Sequence, residues 1–67
     1  MELSARNQLQ GTIKEIKRGS VNGEVVVDLG GQLVTASITL ASIDRLALKV
    51  GDKVAAIVKA SDVMIGK

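Results

Sequence analysis

The apolar residues of this sequence fall into short alternating runs that are separated by glycines. Residues 24–29 and 32–39 are two such runs, and the pair Gly30-Gly31 lies between them. Apolar side chains at every second position occupy one face of a strand, whereas a helix needs spacings of three and four. Paired glycines favour a tight hairpin turn, because glycine adopts positive φ without strain. The pattern therefore predicts a mainly β chain.

A long first strand is predicted over residues 3–18. Its alternation breaks between Ile13 and Ile16, so a bend or bulge is expected near Lys14-Glu15. The Gly and Asn residues of 19–23 mark the turn into the second strand, since both residue types tolerate the backbone angles of tight turns.

One short helix is predicted after the third strand. Thr39 or Ser42 can cap its start, and Asp44 is expected in its first turn, where a negative charge suits the helix dipole. Ile43 and Leu46 lie three residues apart, so both can face a core.

Two further strands complete the predicted fold. The helix is expected to end by Gly51, after which residues 53–59 form a fourth strand and residues 62–65 a short fifth one. The order β-β-β-α-β-β is that of a small barrel of the oligonucleotide/oligosaccharide-binding (OB) type. We expect one mainly β domain over residues 1–67, a small five-stranded OB-type barrel with one short helix.

Little in the sequence can stabilise so small a fold on its own. The chain has 67 residues, of which 46% are hydrophobic and none is aromatic, Cys or His. Domains of this size usually depend on disulfides, a metal or partner subunits. Without Cys and His, disulfides and ordinary zinc or iron sites are excluded, so we expect an oligomer.

The charge and hydropathy patterns limit the classes of partner and the cellular compartment that are expected. Nine basic residues are scattered among seven acidic ones for a net charge of +2, which is low for a nucleic-acid-binding protein. No apolar run approaches the roughly 20 residues of a membrane span, and the N-terminus lacks a signal peptide pattern. We expect a soluble cytoplasmic protein without nucleic-acid or membrane partners.

Groups suited to catalysis are scarce. Without His, Cys or Tyr, acid–base chemistry would fall to Asp, Glu or Lys, and the carboxylates lie mostly beside turns or on polar strand faces. Gly30-Gly31 is not followed by the Lys-Ser/Thr of a nucleotide-binding loop. The sequence therefore predicts no enzyme, no catalytic residue and no catalytic cofactor.

Three clusters of hydrogen-bond donors are more informative. Ser4 and Arg6 can converge on one ligand, because residues i and i+2 of a strand point to the same side; the alternative is a frayed terminus with a surface Arg. Thr39 and Ser42 flank the helix start, where unpaired N–H groups attract anions; the alternative is plain capping.

The third cluster is Lys59 with Ser61 near the end of the chain. Lys59 follows Ala55 and Ile57 along one strand face, so its ammonium either reaches out to water or meets an anion. No carboxylate interrupts the three clusters. A site made only of donors favours an oxyanion without a proton, such as molybdate, tungstate or sulfate, and disfavours phosphate, whose proton needs an acceptor.

Three blocks of the sequence, residues 4–11, 38–42 and 56–65, resemble the molbindins, the small molybdenum-pterin-binding (Mop) proteins. The resemblance covers essentially the whole chain. It implies an OB-type barrel that assembles as a homohexamer, a trimer of dimers, with molybdate or tungstate bound at subunit interfaces. Any metal would be bound only as the oxyanion. The site residues implied, as side chains or as backbone donors, are Ser4, Ala5, Arg6, Asn7, Thr39, Ser42, Lys59, Ala60 and Ser61.

The resemblance predicts intracellular storage or buffering of molybdate or tungstate. The absence of aromatic residues, on which a pterin ring could stack, favours the bare oxyanion. One alternative is a nucleic-acid-binding OB module, which normally stacks bases on aromatic side chains. The other is a purely structural assembly module that binds no ion.

Overall fold

The computed structural model describes residues 1–67 and shows a curled four-stranded antiparallel sheet with one short helix. The elements are β1 (Asn7–Arg18), β2 (Asn22–Asp28), β3 (Leu33–Thr39), α1 (Leu40–Arg45), β4 (Lys53–Val58) and a 3₁₀ turn over Ala60–Asp62. The strand order is β3-β2-β1-β4, which makes β3 and β4 the two edges. Neither helical segment has the length and apolar character that crossing a bilayer requires.

The predicted irregularity in the first strand is confirmed. Ile13 pairs with Val27 and Glu15 pairs with Val26, so Lys14 is an extra residue on β1. A bulge of this kind bends its strand and increases the local twist. β1 has two neighbours, pairing with β2 through residues 12–18 and with β4 through residues 7–12.

The Gly30-Gly31 hairpin is also confirmed. Both glycines have positive φ, at 99° and 119°, which a residue with a Cβ adopts only with strain. The carboxylate of Asp28 accepts hydrogen bonds from the N–H groups of Gly30 and Gly31 at 2.8 and 3.1 Å. These two bonds favour the charged carboxylate, so they lower the pKa of Asp28 below its usual value.

The turn before β2 is shorter than the sequence suggested. Asn22 and Gly23 belong to β2, and the turn itself is closed by a hydrogen bond from Gly19 N–H to the Asn22 carbonyl. Gly23 is buried for a packing reason, since a Cβ at this position would lie 2.6 Å from Cδ1 of Ile43. Here glycine permits the helix to pack closely on the sheet.

The core is as small as the composition indicated. Ile13, Val25, Val27 and Ile43 are its four buried hydrophobic side chains, and Ile43 is the one that α1 contributes. Leu46, also predicted to face the core, is 55% exposed because it lies at the C-cap beyond the last helical residue.

Asp44 does not lie in the first turn of the helix, contrary to the sequence prediction. Thr39 is the N-cap, and its hydroxyl oxygen accepts a hydrogen bond from Ser42 N–H. The helix therefore begins at Leu40, which places Asp44 near its C-terminal end and not in its first turn. Asp44 instead forms an exposed ion pair of 2.9 Å with Arg18 of β1.

The two ends of the chain are less regular than predicted. Residues 3–6 precede β1 without belonging to it, and the predicted fifth strand over 62–65 is absent from the protomer. A strand needs a neighbour to satisfy its backbone groups. No segment of the same chain pairs with the tail, and Met64 and Ile65 are each 90% exposed.

Candidate functional site

Two of the three predicted donor clusters meet at one corner of the sheet. Asn7 at the start of β1 pairs with Val58 at the end of β4 in an antiparallel ladder. The segment that enters β1 and the segment that leaves β4 are therefore neighbours. They line an open depression of about 670 Å³, formed by Ser4, Ala5, Arg6, Ile57, Lys59, Ala60, Ser61 and Asp62.

The depression holds two cations that form no ion pair. Arg6 and Lys59 both line it, and neither forms an ion pair, since the two ion pairs of the chain are Arg18–Asp44 and Lys49–Asp52. Two positive charges on one small surface repel each other and raise the local potential. A bound anion would relieve this repulsion.

Backbone donors are available at the same corner. The N–H groups of Ala5, Arg6, Ala60 and Ser61 have no hydrogen-bond acceptor within the protomer. Ala60 and Ser61 are free because they begin the 3₁₀ turn, whose internal bonds run from Asp62 N–H and Val63 N–H to earlier carbonyls. The depression therefore presents donors from both chain segments.

One acceptor accompanies these donors, contrary to the sequence prediction. Asp62 lines the depression, and its carboxylate forms no ion pair with either Arg6 or Lys59. The 3₁₀ turn is responsible, because it curls Asp62 back beside Lys59 where an extended strand would have carried it away. The prediction that no carboxylate interrupts the donor clusters was wrong. The predicted discrimination against phosphate required a site without acceptors. Asp62 is an acceptor to which a protonated oxyanion could donate a hydrogen bond, so that prediction no longer follows.

Thr39 and Ser42 do not line this depression. They lie where β3 leads into α1, and their hydroxyls bond each other, with Thr39 donating to Ser42 at 2.9 Å. Capping is thus the role that the protomer shows. Asn7 is the first residue of β1 and lies beside the depression without lining it. A role for these three residues in anion binding stays a prediction.

The interpretation of Lys59 changes in detail. β4 ends at Val58, so Lys59 is the N-cap of the 3₁₀ turn and not a strand residue. Ile57 is 40% exposed and lines the depression, which makes its face of β4 an outer face. Sequence reasoning had placed Ile57 on one strand face with Lys59, but it missed Asp62 as a neighbour of the site. The closeness of Asp62 to Lys59 in sequence was the one available signal.

Known proteins resemble this chain along almost its whole length. The TOBE domain family matches residues 3–65. Molybdenum-pterin-binding protein 3 of Clostridium pasteurianum is 47% identical over 66 residues, which cover 97% of each chain. The structure of a molybdate-binding protein from Sporomusa ovata superposes with a TM-score of 0.95 at 43% identity and full coverage of both chains.

A longer protein contains a similar unit. A structure of the cytoplasmic molybdate-binding protein ModG with molybdate bound superposes with a TM-score of 0.89 at 43% identity. The match covers 96% of this chain and 46% of the ModG chain. The fold is shared with both solved structures, and the length agrees with the Clostridium and Sporomusa proteins. The chain therefore belongs to the TOBE-domain family, and within it to the molbindin, or molybdenum-pterin-binding, group that its sequence resembles.

Proposed function

We propose that the protein binds molybdate or tungstate reversibly and stores or buffers the ion in the cytoplasm. The observation that carries this proposal is the depression at the β1–β4 corner, where Arg6 and Lys59 lie without an ion-pair partner beside four unpaired backbone N–H groups. The relatives named for binding molybdate or molybdenum-pterin support the choice of ion. We propose that residues 1–67 form a single Mop domain.

Binding would exchange the water shell of the ion for fixed donors. The guanidinium of Arg6 offers five N–H groups in a planar fork, and the Lys59 ammonium offers three. Hydrogen bonds between charged partners are about twice as strong as neutral ones. No bond of the anion breaks and no proton moves, so the protein is a binding protein and not an enzyme.

The open shape of the depression favours a site shared between subunits. A volume of about 670 Å³ far exceeds a five-atom oxyanion, and one protomer covers it from one side only. We propose the homohexamer implied by the family resemblance, a trimer of dimers in which a second subunit closes each site. Thr39 and Ser42 of a neighbouring copy are the donors we assign to that role, together with backbone N–H groups near Asn7.

The direct test is equilibrium dialysis of the purified protein against micromolar molybdate, with bound metal counted by mass spectrometry. We expect retained ion, a rise in melting temperature with molybdate, and an oligomer in sedimentation velocity, because a ligand that binds only the assembled form stabilises it. A protein that retains no ion at tens of micromolar would contradict the proposal. Binding of single-stranded DNA at low salt would indicate the nucleic-acid alternative.

Asp62 provides a prediction about selectivity. Replacing it by asparagine removes a negative charge beside the anion, a repulsion of about 1 kcal/mol in water at physiological salt. The affinity for molybdate should rise about fivefold in Asp62→Asn. Phosphate should compete less well, because its proton loses a charged acceptor.

The matched control for this prediction is Glu15→Gln. It changes the net charge equally at an exposed β1 residue that does not line the depression. Isothermal titration calorimetry on both variants gives the affinities. Equal gains in the two variants would show that only the overall charge matters and that Asp62 has no local role.

A further inference from the structure

Gln8 forms a specific contact with the chain segment that lines the depression. Its side-chain amide Nε2 donates a hydrogen bond of 2.9 Å to the carbonyl oxygen of Ala5. Ala5 and Arg6 line the depression, whereas Gln8 does not. Gln8 therefore contacts this segment from outside the depression.

Because the peptide bond is planar, the hydrogen bond from Gln8 to the Ala5 carbonyl also sets the direction of the Arg6 N–H. The carbonyl of Ala5 and the N–H of Arg6 belong to one peptide unit, which is planar and trans in this chain, so the two groups point in opposite directions. A carbonyl held against Gln8 turns the Arg6 N–H away from Gln8. That N–H has no acceptor within the protomer.

We propose that Gln8 is a positioning residue for the oxyanion, because its amide orients the Ala5–Arg6 peptide so that the Arg6 N–H donates to the bound ion. The inference rests on the proposed function and adds to it a backbone donor and the residue that aims it. Ala5 and Arg6 belong to no strand or helix, so regular backbone pairing does not fix the orientation of their peptide. The bond from Gln8 is the side-chain hydrogen bond that ties down this segment.

The test compares Gln8→Met with Gln10→Met. Methionine keeps the length of the side chain and removes the donor. Gln10 lies two residues further along β1 on the same side, and its side chain makes no hydrogen bond. We expect the molybdate affinity to fall about tenfold in Gln8→Met, the loss expected for one hydrogen bond to a charged group, and to stay unchanged in Gln10→Met.

Amide NMR separates positioning from a general structural effect. Titration of the wild type with molybdate should shift the Arg6, Ala60 and Ser61 N–H resonances. In Gln8→Met the Ala60 and Ser61 shifts should remain at saturating ion while the Arg6 shift is lost. The melting temperature of the ion-free protein should be the same in both methionine variants.

The results of these experiments distinguish the role of Gln8 from the proposed function. Equal affinities in the two methionine variants, with the wild type binding molybdate, would overturn the role of Gln8 and leave the proposed function standing. A retained Arg6 shift in a weaker-binding, less stable Gln8→Met would also overturn it, since the effect would then be structural. A wild type that binds no molybdate would overturn the proposed function, and the inference with it.

Discussion

Replacing both Arg6 and Lys59 by alanine should lower the affinity for molybdate by at least about a hundredfold. Each side chain can make hydrogen bonds to a charged ligand that contribute about 1.5–3 kcal/mol apiece, so the pair contributes about 3–6 kcal/mol. Both residues line the β1–β4 depression, and neither has an ion-pair partner in the protomer. Equilibrium dialysis against molybdate measures the loss directly.

The chain offers a matched control in Arg45→Ala with Lys17→Ala. This pair removes the same two charges from exposed residues that form no ion pair and lie outside the depression. We expect a change of no more than about twofold, since exposed charges at a distance are screened by salt. A similar loss in both double variants would mean that net charge, and not contact at the depression, drives binding.

Replacing Ile43 by alanine should lower the free energy of unfolding by about 2–5 kcal/mol. Ile43 is 1% exposed and is one of four buried hydrophobic side chains. Its Cδ1 lies so close to Gly23 that a Cβ there would come within 2.6 Å of it. A chain of this size has little stability in reserve, so we expect much of the ion-free protein to unfold.

Urea denaturation followed by circular dichroism measures this effect. The protein concentration must be the same for every variant, because the stability of an oligomer depends on it. Val50→Ala is the control, since Val50 is 62% exposed and its truncation should change stability by less than about 0.5 kcal/mol. An Ile43→Ala protein as stable as the control would show that α1 contributes little to the core.

Several features of the fold could be predicted because they depend on neighbours in sequence. The broken alternation between Ile13 and Ile16 indicated the bulge, and Gly30-Gly31 indicated the hairpin. Thr39 was one of two predicted caps, and it is the residue that caps α1. In each case the deciding interaction spans only a few residues, so the local pattern carries enough information.

The predictions that were wrong depended on contacts between segments that are far apart in the chain. Asn22-Gly23 reads as a turn, yet it belongs to β2 because it pairs with Ile38 and Thr39 of β3. Residues 62–65 read as a strand, yet no segment of the chain pairs with them. Whether a segment with strand-like sequence becomes a strand depends on a partner, which local sequence does not specify.

At the candidate site, too, some features could be read from the sequence and others depend on the fold. The donor types at Ser4, Arg6 and Lys59 are readable from the sequence, since charge and hydrogen-bonding capacity belong to the side chains themselves. Their meeting at one corner follows from the pairing of Asn7 with Val58, a contact between residues far apart in the chain.

Finer distinctions at the site come from the fold alone. Gln8 and Gln10 are alike in sequence, and only the bend before β1 brings Gln8 to the Ala5 carbonyl. Asp62 joins the depression because a 3₁₀ turn follows β4 where a strand was expected. Side-chain chemistry is local and can be read from the chain, whereas the choice of neighbours is a property of the whole folded backbone.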